Sequence, residues 1–147
     1  MFYYKNQKFH KKGIAFAVPD NTFLLEYERE LDELFEISAA EDLFRIIIGF
    51  ESCEPTEYFK SADFKDLYTV IEKPKNVCIK GLFGQRAVYS DGVKNFCEYR
   101  LKIIDKGGVS STFSVILETQ KQETDIFVVC KHPVVAEFLD SLEISSE

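Results

Sequence analysis

Tryptophan is absent from this 147-residue chain, methionine occurs once and histidine twice. The four cysteines, Cys53, Cys78, Cys97 and Cys130, form no Cys-x-x-Cys pair. Zinc ribbons and thioredoxin-type motifs need such local pairs to close a small chelate or redox loop, so both are excluded. No apolar run approaches the ~20 residues that span a bilayer. The start, Met1-Phe2-Tyr3-Tyr4-Lys5, lacks the basic segment, apolar stretch and small-residue cleavage site of a signal peptide. These absences predict no metal, no cofactor, no membrane partner and, unless a leader has been removed, a cytoplasmic protein with four reduced thiols. Cations are also in deficit, 18 Lys and Arg against 25 Asp and Glu for a net charge of −7. Nucleic acid is therefore not an expected partner, because phosphate neutralisation needs clustered cations.

What the chain does have is apolar bulk. Hydrophobic residues make up 46% of it, and 14 Phe and 7 Tyr supply the rings that fill a core. That is enough for one folded domain over residues 1–147, and it excludes disorder. Charge is unevenly placed. Lys5, Lys8, Lys11 and Lys12 make the N-terminus basic, and Glu26, Glu28, Glu30, Asp32, Glu33 and Glu36 follow with only Arg29 opposing them. Such runs usually serve as solvated faces; the sharper alternative is that the acidic run receives a basic protein partner.

Hydrophobic periodicity orders the chain. Ile14, Phe16 and Val18 alternate up to Pro19, which ends a short strand over 14–18. Residues 3–12 read as an edge strand or arm leading into it, and Asp20-Asn21 as a turn. Residues 23–32 fit either helix or strand. Alternation then predicts a hairpin over 33–37 and 43–51. Pro55-Thr56-Glu57 opens a predicted long helix in which Phe64, Leu67, Tyr68 and Ile71 recur at i, i+3, i+4 and i+7, ended by Lys73-Pro74. A meander follows, in which Val77 and Ile79 lead through Gly81 and Gly84 to Ala87 and Tyr89, turning at Asp91-Gly92 and at Lys106-Gly107-Gly108, with Cys97, Tyr99, Leu101 and Ile103 alternating on one strand and Phe113, Val115 and Leu117 on the next. The β-branched run Ile126-Phe127-Val128-Val129 reads as a further strand, and Pro133 starts a short last helix with Val134, Phe138 and Leu142 on one face. The expected fold class is α+β, a mainly antiparallel sheet flanked by helices. Its expected core includes Phe16, Ile46, Ile48, Leu67, Ile71, Tyr99, Leu101, Phe113 and Val115.

The stretch Gly13 to Asp20, glycines 81 and 84 in a central strand, and the closing Ser141-Leu142-Glu143-Ile144 together resemble the PsbP-like superfamily. The resemblance spans most of residues 3–145. Members of that group often carry Trp shortly after the proline, where this chain has Phe23, and many are exported or lipid-anchored. The resemblance implies an α-β-α sandwich and roles in binding or assembly. It transfers no catalytic residue, since the superfamily shares no catalytic site, and its photosynthetic and Ran-binding roles are not carried over.

Cys130-Lys131-His132 is the strongest constellation for chemistry. On a strand the two outer side chains would share a face, and an imidazole beside a thiol favours the thiolate nucleophile. The plainer reading is a buried, idle Cys130 and a pre-proline histidine at a helix start. Gly81-Leu82-Phe83-Gly84-Gln85-Arg86 suggests a phosphate-approaching loop, but the β pattern that continues through Val88 and Tyr89 favours a bulge or tight bend. His10 with Lys11 and Lys12 would meet an anion, or simply sit in solvent. Glu41-Asp42 would serve acid/base work, yet falls at a hairpin tip where acidic residues form turns. The reading that results is a non-enzymatic protein-binding or assembly module with a protein partner. The alternatives are a small thiol-dependent enzyme using Cys130 and His132, or a binder of a small apolar ligand. The sequence sets no oligomeric state.

Overall fold

A computed structural model describes residues 2–3, 8–11, 13–17, 22–28, 33–39, 44–120 and 123–144, with side chains at 13–17, 44–120 and 123–144. The strands are β1 (Phe2–Tyr3), β2 (Lys8–Lys11), β3 (Ile14–Ala17), β4 (Thr22–Glu28), β5 (Glu33–Ala39), β6 (Phe44–Glu51), β7 (Thr69–Ile79), β8 (Leu82–Ser90), β9 (Asn95–Ile104), β10 (Ser110–Thr119) and β11 (Glu143–Ile144). The helices are a 3₁₀ turn at Tyr58–Lys60, α1 (Ala62–Leu67), α2 (Ile126–Cys130) and α3 (Pro133–Asp140). Eight strands form one antiparallel sheet in the order β1-β4-β5-β6-β10-β9-β8-β7, and β11-β3-β2 form a second. The fold is therefore α+β, mostly antiparallel sheet with a few helices. Among the described residues no helix is long and apolar enough to cross a membrane.

Alternation dictates the larger core. Phe113 of β10 stands in register with Phe50 of β6 and Leu101 of β9, and Val115 with Ile48 and Tyr99. These residues share one face of the sheet with Ile46, Cys97 and Ile103. Over that face lie Phe16 of β3 and the α2–α3 segment, whose Ile126, Val129, Val135 and Phe138 join the same buried cluster. Phe16 packs edge-on against Phe138 at 5.2 Å. The small sheet closes the chain on itself, because Ile14 and Ala15 pair with Ile144 and Glu143, and the Ala17 amide donates to Ser141 Oγ at 3.1 Å. The opposite face is covered by the 3₁₀ turn and α1, where Phe59 and Phe64 pack on Ala87 and Tyr89.

The strand over 14–18 appears as Ile14–Ala17, with Val18 and the Asp20-Asn21 turn outside the described residues. The ambiguous stretch after Phe23 is strand β4, and the hairpin of β5 and β6 forms in the expected place.

Two expectations are overturned. The long helix over 55–72 is instead a 3₁₀ turn, a six-residue helix and the start of β7. Ser61 is extended, and its hydroxyl caps a new helix by accepting from the Phe64 amide. Tyr68 is extended again, so the β-branched Thr69, Val70 and Ile71 enter the sheet. Leu67 and Ile71 consequently lie outside the core, 66% and 48% exposed, whereas the other seven expected core residues are buried. The run at 126–129 is helix α2 and not a strand, because the Asp125 carboxylate caps the Phe127 amide at 2.9 Å and starts a helical turn.

Candidate functional site

Cys130 ends α2 and His132 caps α3, so the two never share a strand face. The imidazole Nδ1 accepts from the Val134 amide at 3.1 Å, and the ring packs edge-on against Phe44 at 5.0 Å. His132 is thus the helix-start histidine of the plainer reading. Cys130 turns the other way. Its sulfur accepts from Arg86 Nη2 at 3.6 Å, and it packs against the core that holds Cys97.

Strand register explains this meeting. Arg86 of β8 pairs with Tyr99 of β9, Val88 pairs with Cys97, and all four face α2. Glu72 on the neighbouring edge strand holds Arg86 Nη1 at 2.7 Å and Lys75 at 3.3 Å. The guanidinium lies 5.7 Å from the Tyr99 ring centroid. The thiols of Cys97 and Cys130 are shifted in opposite directions. Interaction with Cys97 pulls the Cys130 thiol down to about 7, aided by Arg86 and opposed by burial and by Glu72. The Cys97 thiol is pushed up by its interaction with Cys130 and by burial. Sequence reasoning took up Arg86 only with the glycine loop and missed Cys97 as the partner of Cys130. The available signal was that Cys97 alternates with core residues on a strand.

Gly81-Leu82-Phe83-Gly84 forms no phosphate cradle. Lys80 and Gly81 both have positive φ, 52° and 83°, and make the two-residue turn joining β7 to β8. At Gly84 a Cβ would lie 1.8 Å from the Arg100 carbonyl oxygen, so glycine lets β8 and β9 approach. Beside this turn opens an apolar cavity of about 250 Å³, lined by Leu82, Phe83, Ile103, Ile104, Ile144 and Lys102. Phe83, Ile104 and Ile144 around it are 69%, 57% and 66% exposed, a density of bare apolar surface unlike scattered single residues. Lys80 and Lys102 stand nearby in exposed 3.8 Å pairs with Asp140 and Glu54.

A third cluster is sealed under α1. Glu98 accepts from Tyr89 Oη at 2.6 Å, Ser114 Oγ at 3.0 Å and Arg100 Nη1 at 2.7 Å. Arg100 also donates to Glu51 and, at 3.3 Å, to Cys53, while the Tyr58 ring lies 4.4 Å from its guanidinium carbon. Its Nε has no partner. Glu98 and Arg100 are each 1% exposed, so their pair ties sheet to cap out of reach of solvent, while Glu51 at the cluster's edge is 41% exposed.

The other sequence candidates stay apart. His10 and Lys11 lie on edge strand β2, paired with Ala15 and Ile14; Lys12 and the pair Glu41-Asp42 lie outside the described residues. Among the described residues no group of three or more His, Cys, Asp or Glu is placed to hold a metal ion.

No family model and no curated protein matches the chain. A solved structure from Bacteroides thetaiotaomicron is similar at 13% identity with a TM-score of 0.46, over 97% of this chain and 50% of that one. The chain therefore spans about half the length of the protein it matches.

Proposed function

We propose that the chain is a non-enzymatic, cytoplasmic protein-binding module of the PsbP-like kind, and that it docks an apolar side chain flanked by a carboxylate in the cavity beside Phe83. The observation that carries this reading is the exposure of Phe83, Ile104 and Ile144 around one concave opening. An anchor side chain in a dry pocket is how interfaces concentrate binding energy. The cavity is smaller than the ~300–1,000 Å³ typical of small-molecule sites, which favours a side chain over a free ligand. Lys80 and Lys102 supply the charge complement, since exposed pairs at 3.8 Å are weak and exchange readily for a partner's carboxylate. The thiol-enzyme alternative loses its base, because His132 is committed to capping α3. The superfamily resemblance is supported by the pairing of its two end motifs, β3 with β11.

Random peptides displayed against the immobilised protein test the reading. Enriched sequences should pair a large apolar residue with Asp or Glu. Their affinity should fall about tenfold or more on Phe83→Asp. Val93→Asp, at an exposed apolar position on the β8–β9 turn, should leave it unchanged. Enrichment indifferent to Phe83→Asp, or no enrichment, would reject the site.

A further inference from the structure

The cavity beside Phe83 and the acidic run of the sequence fall at the same end of the eight-stranded sheet. Strand register places them there. Leu34 of β5 is paired with Gly49 of β6, Glu51 of β6 with Thr112 of β10, and Ser110 of β10 with Ile104 of β9. Glu28 and Glu33, the paired ends of β4 and β5, therefore share an end of the sheet with Ile104 and with the Lys80-Gly81 turn. Both belong to the run from Glu26 to Glu36, where Arg29 is the only cation and Leu31 falls between Glu30 and Asp32.

We propose, resting on the docking reading above, that the partner of the cavity is a second copy of this chain. The two copies form a two-fold dimer in which the acidic run of each, anchored by Leu31, enters the Phe83 cavity of the other.

Three observations carry the assignment. Leu31 with a carboxylate on either side is the chemistry that an apolar cavity beside Lys80 and Lys102 receives. The charges are complementary as well, because Lys73, Lys75, Lys80, Lys102 and Lys106 are all exposed on the β7–β9 side, opposite in sign to the β4–β5 side. The third is distance. Strands β6, β10 and β9 lie between β5 and β8, so the two patches stand four strand spacings apart, about 19 Å. A side chain of the run cannot bridge that gap to its own cavity. A two-fold axis perpendicular to the sheet and midway between the patches lays the acidic side of one copy on the basic side of the other, and makes both contacts at once. A two-fold axis along the width of the sheet would instead set acid against acid, which like charges oppose.

Sedimentation velocity on the wild-type chain over a concentration series, with zero-length carbodiimide cross-linking of mixed unlabelled and isotope-labelled protein, tests the dimer. The expected result is a monomer–dimer equilibrium that grows no further, with amide links between Lys80 or Lys102 of one copy and a carboxylate of residues 26–36 of the other. Phe83→Asp and Leu31→Asp should each weaken dimerisation about a hundredfold, tenfold at each of the two contacts. Their equimolar mixture should give a mixed dimer about tenfold tighter than either variant alone forms, since one copy keeps its run and the other its cavity. A wild type that stays monomeric throughout, links from these lysines to carboxylates elsewhere, or folded variants that associate no better mixed than apart would each overturn the proposal. The wild-type links decide it even where a variant fails to fold. A monomeric wild type that still enriches Phe83-dependent peptides removes the self-partner and keeps the docking cavity; loss of both removes the docking reading too.

Discussion

Phe113 of β10 is in register with Phe50 and Leu101, while its chain neighbour Ser114 is in register with Arg100 and donates to Glu98. One residue along the same strand, the sheet changes from an all-apolar core to a buried ionic network. The apolar face is stabilised by area removed from water, and any ring or branched chain of similar volume serves there. The polar face is buried by an aromatic cap of Tyr58, Phe59, Phe64 and Tyr68 stacked round Tyr89, and its charges have been taken out of water, so each must be matched by a specific partner. A volume change harms the first face; loss of one partner harms the second.

The largest expected effect tests that asymmetry. Arg100→Ala leaves Glu98 buried without its cation and should destabilise by about 3–5 kcal/mol in urea titration. On the apolar face, Leu101→Ala should cost about 2–5 kcal/mol through its cavity. The faces separate in the rescue. Replacing Glu98 and Arg100 together by Met should recover most of the loss, because no unpaired charge remains. A loss below about 1 kcal/mol for Arg100→Ala would mean that water reaches Glu98 and that the polar face behaves as surface.

The comparison also marks what was legible in the sequence. Strand ends written in turn chemistry, at Asp91-Gly92 and Gly107-Gly108, fall where glycine and aspartate put them, and the alternation of Cys97 to Ile103 gives the apolar face directly; Gly81, read inside a central strand, instead turns the chain with Lys80 between β7 and β8. The polar face was not legible. Glu98 and Arg100 alternate as solvent-facing residues do, and only the cap laid over them makes them interior. The cap was itself misread, because Leu67 and Ile71 complete a helical spacing that Ser61 and Tyr68 interrupt. At the thiol site, Cys130 was singled out but its partner was sought two residues along the chain, at His132. Arg86 and Cys97 reach it through strand pairing, which no local pattern encodes.

Titration distinguishes the faces next, since the ionisable network belongs to one of them. Burial raises the Glu98 carboxyl above its ordinary 4.5, against the pull of Arg100, Tyr89 and Ser114. An acid whose folded pKa is raised holds its proton in the folded state while the unfolded chain has released it, so its contribution to stability falls as pH rises through that window. Measured as the difference between wild type and Glu98→Gln, stability should therefore decline from about pH 4.3 upward and level off above the folded pKa. A difference that grows with pH would show that Arg100 outweighs burial and keeps the carboxylate ionised.

The smallest effect sharpens the boundary of the cap. Phe64 is 1% exposed and meets Tyr89 edge-on at 4.9 Å, whereas Leu67, one turn on in α1, is 66% exposed. Ile71 is 48% exposed on β7, beside a register shift that turns this edge strand away from regular pairing. If the cap consists of the ring cluster alone, Phe64→Ala should cost about 3–5 kcal/mol. Leu67→Ala and Ile71→Ala should then each stay within about 0.5 kcal/mol of wild type in the same urea titration. The helical stripe that Phe64, Leu67, Tyr68 and Ile71 suggest would require all four truncations to be costly. Near-neutral changes at Leu67 and Ile71 beside a large one at Phe64 would show that burial over the ionic network ends with the rings.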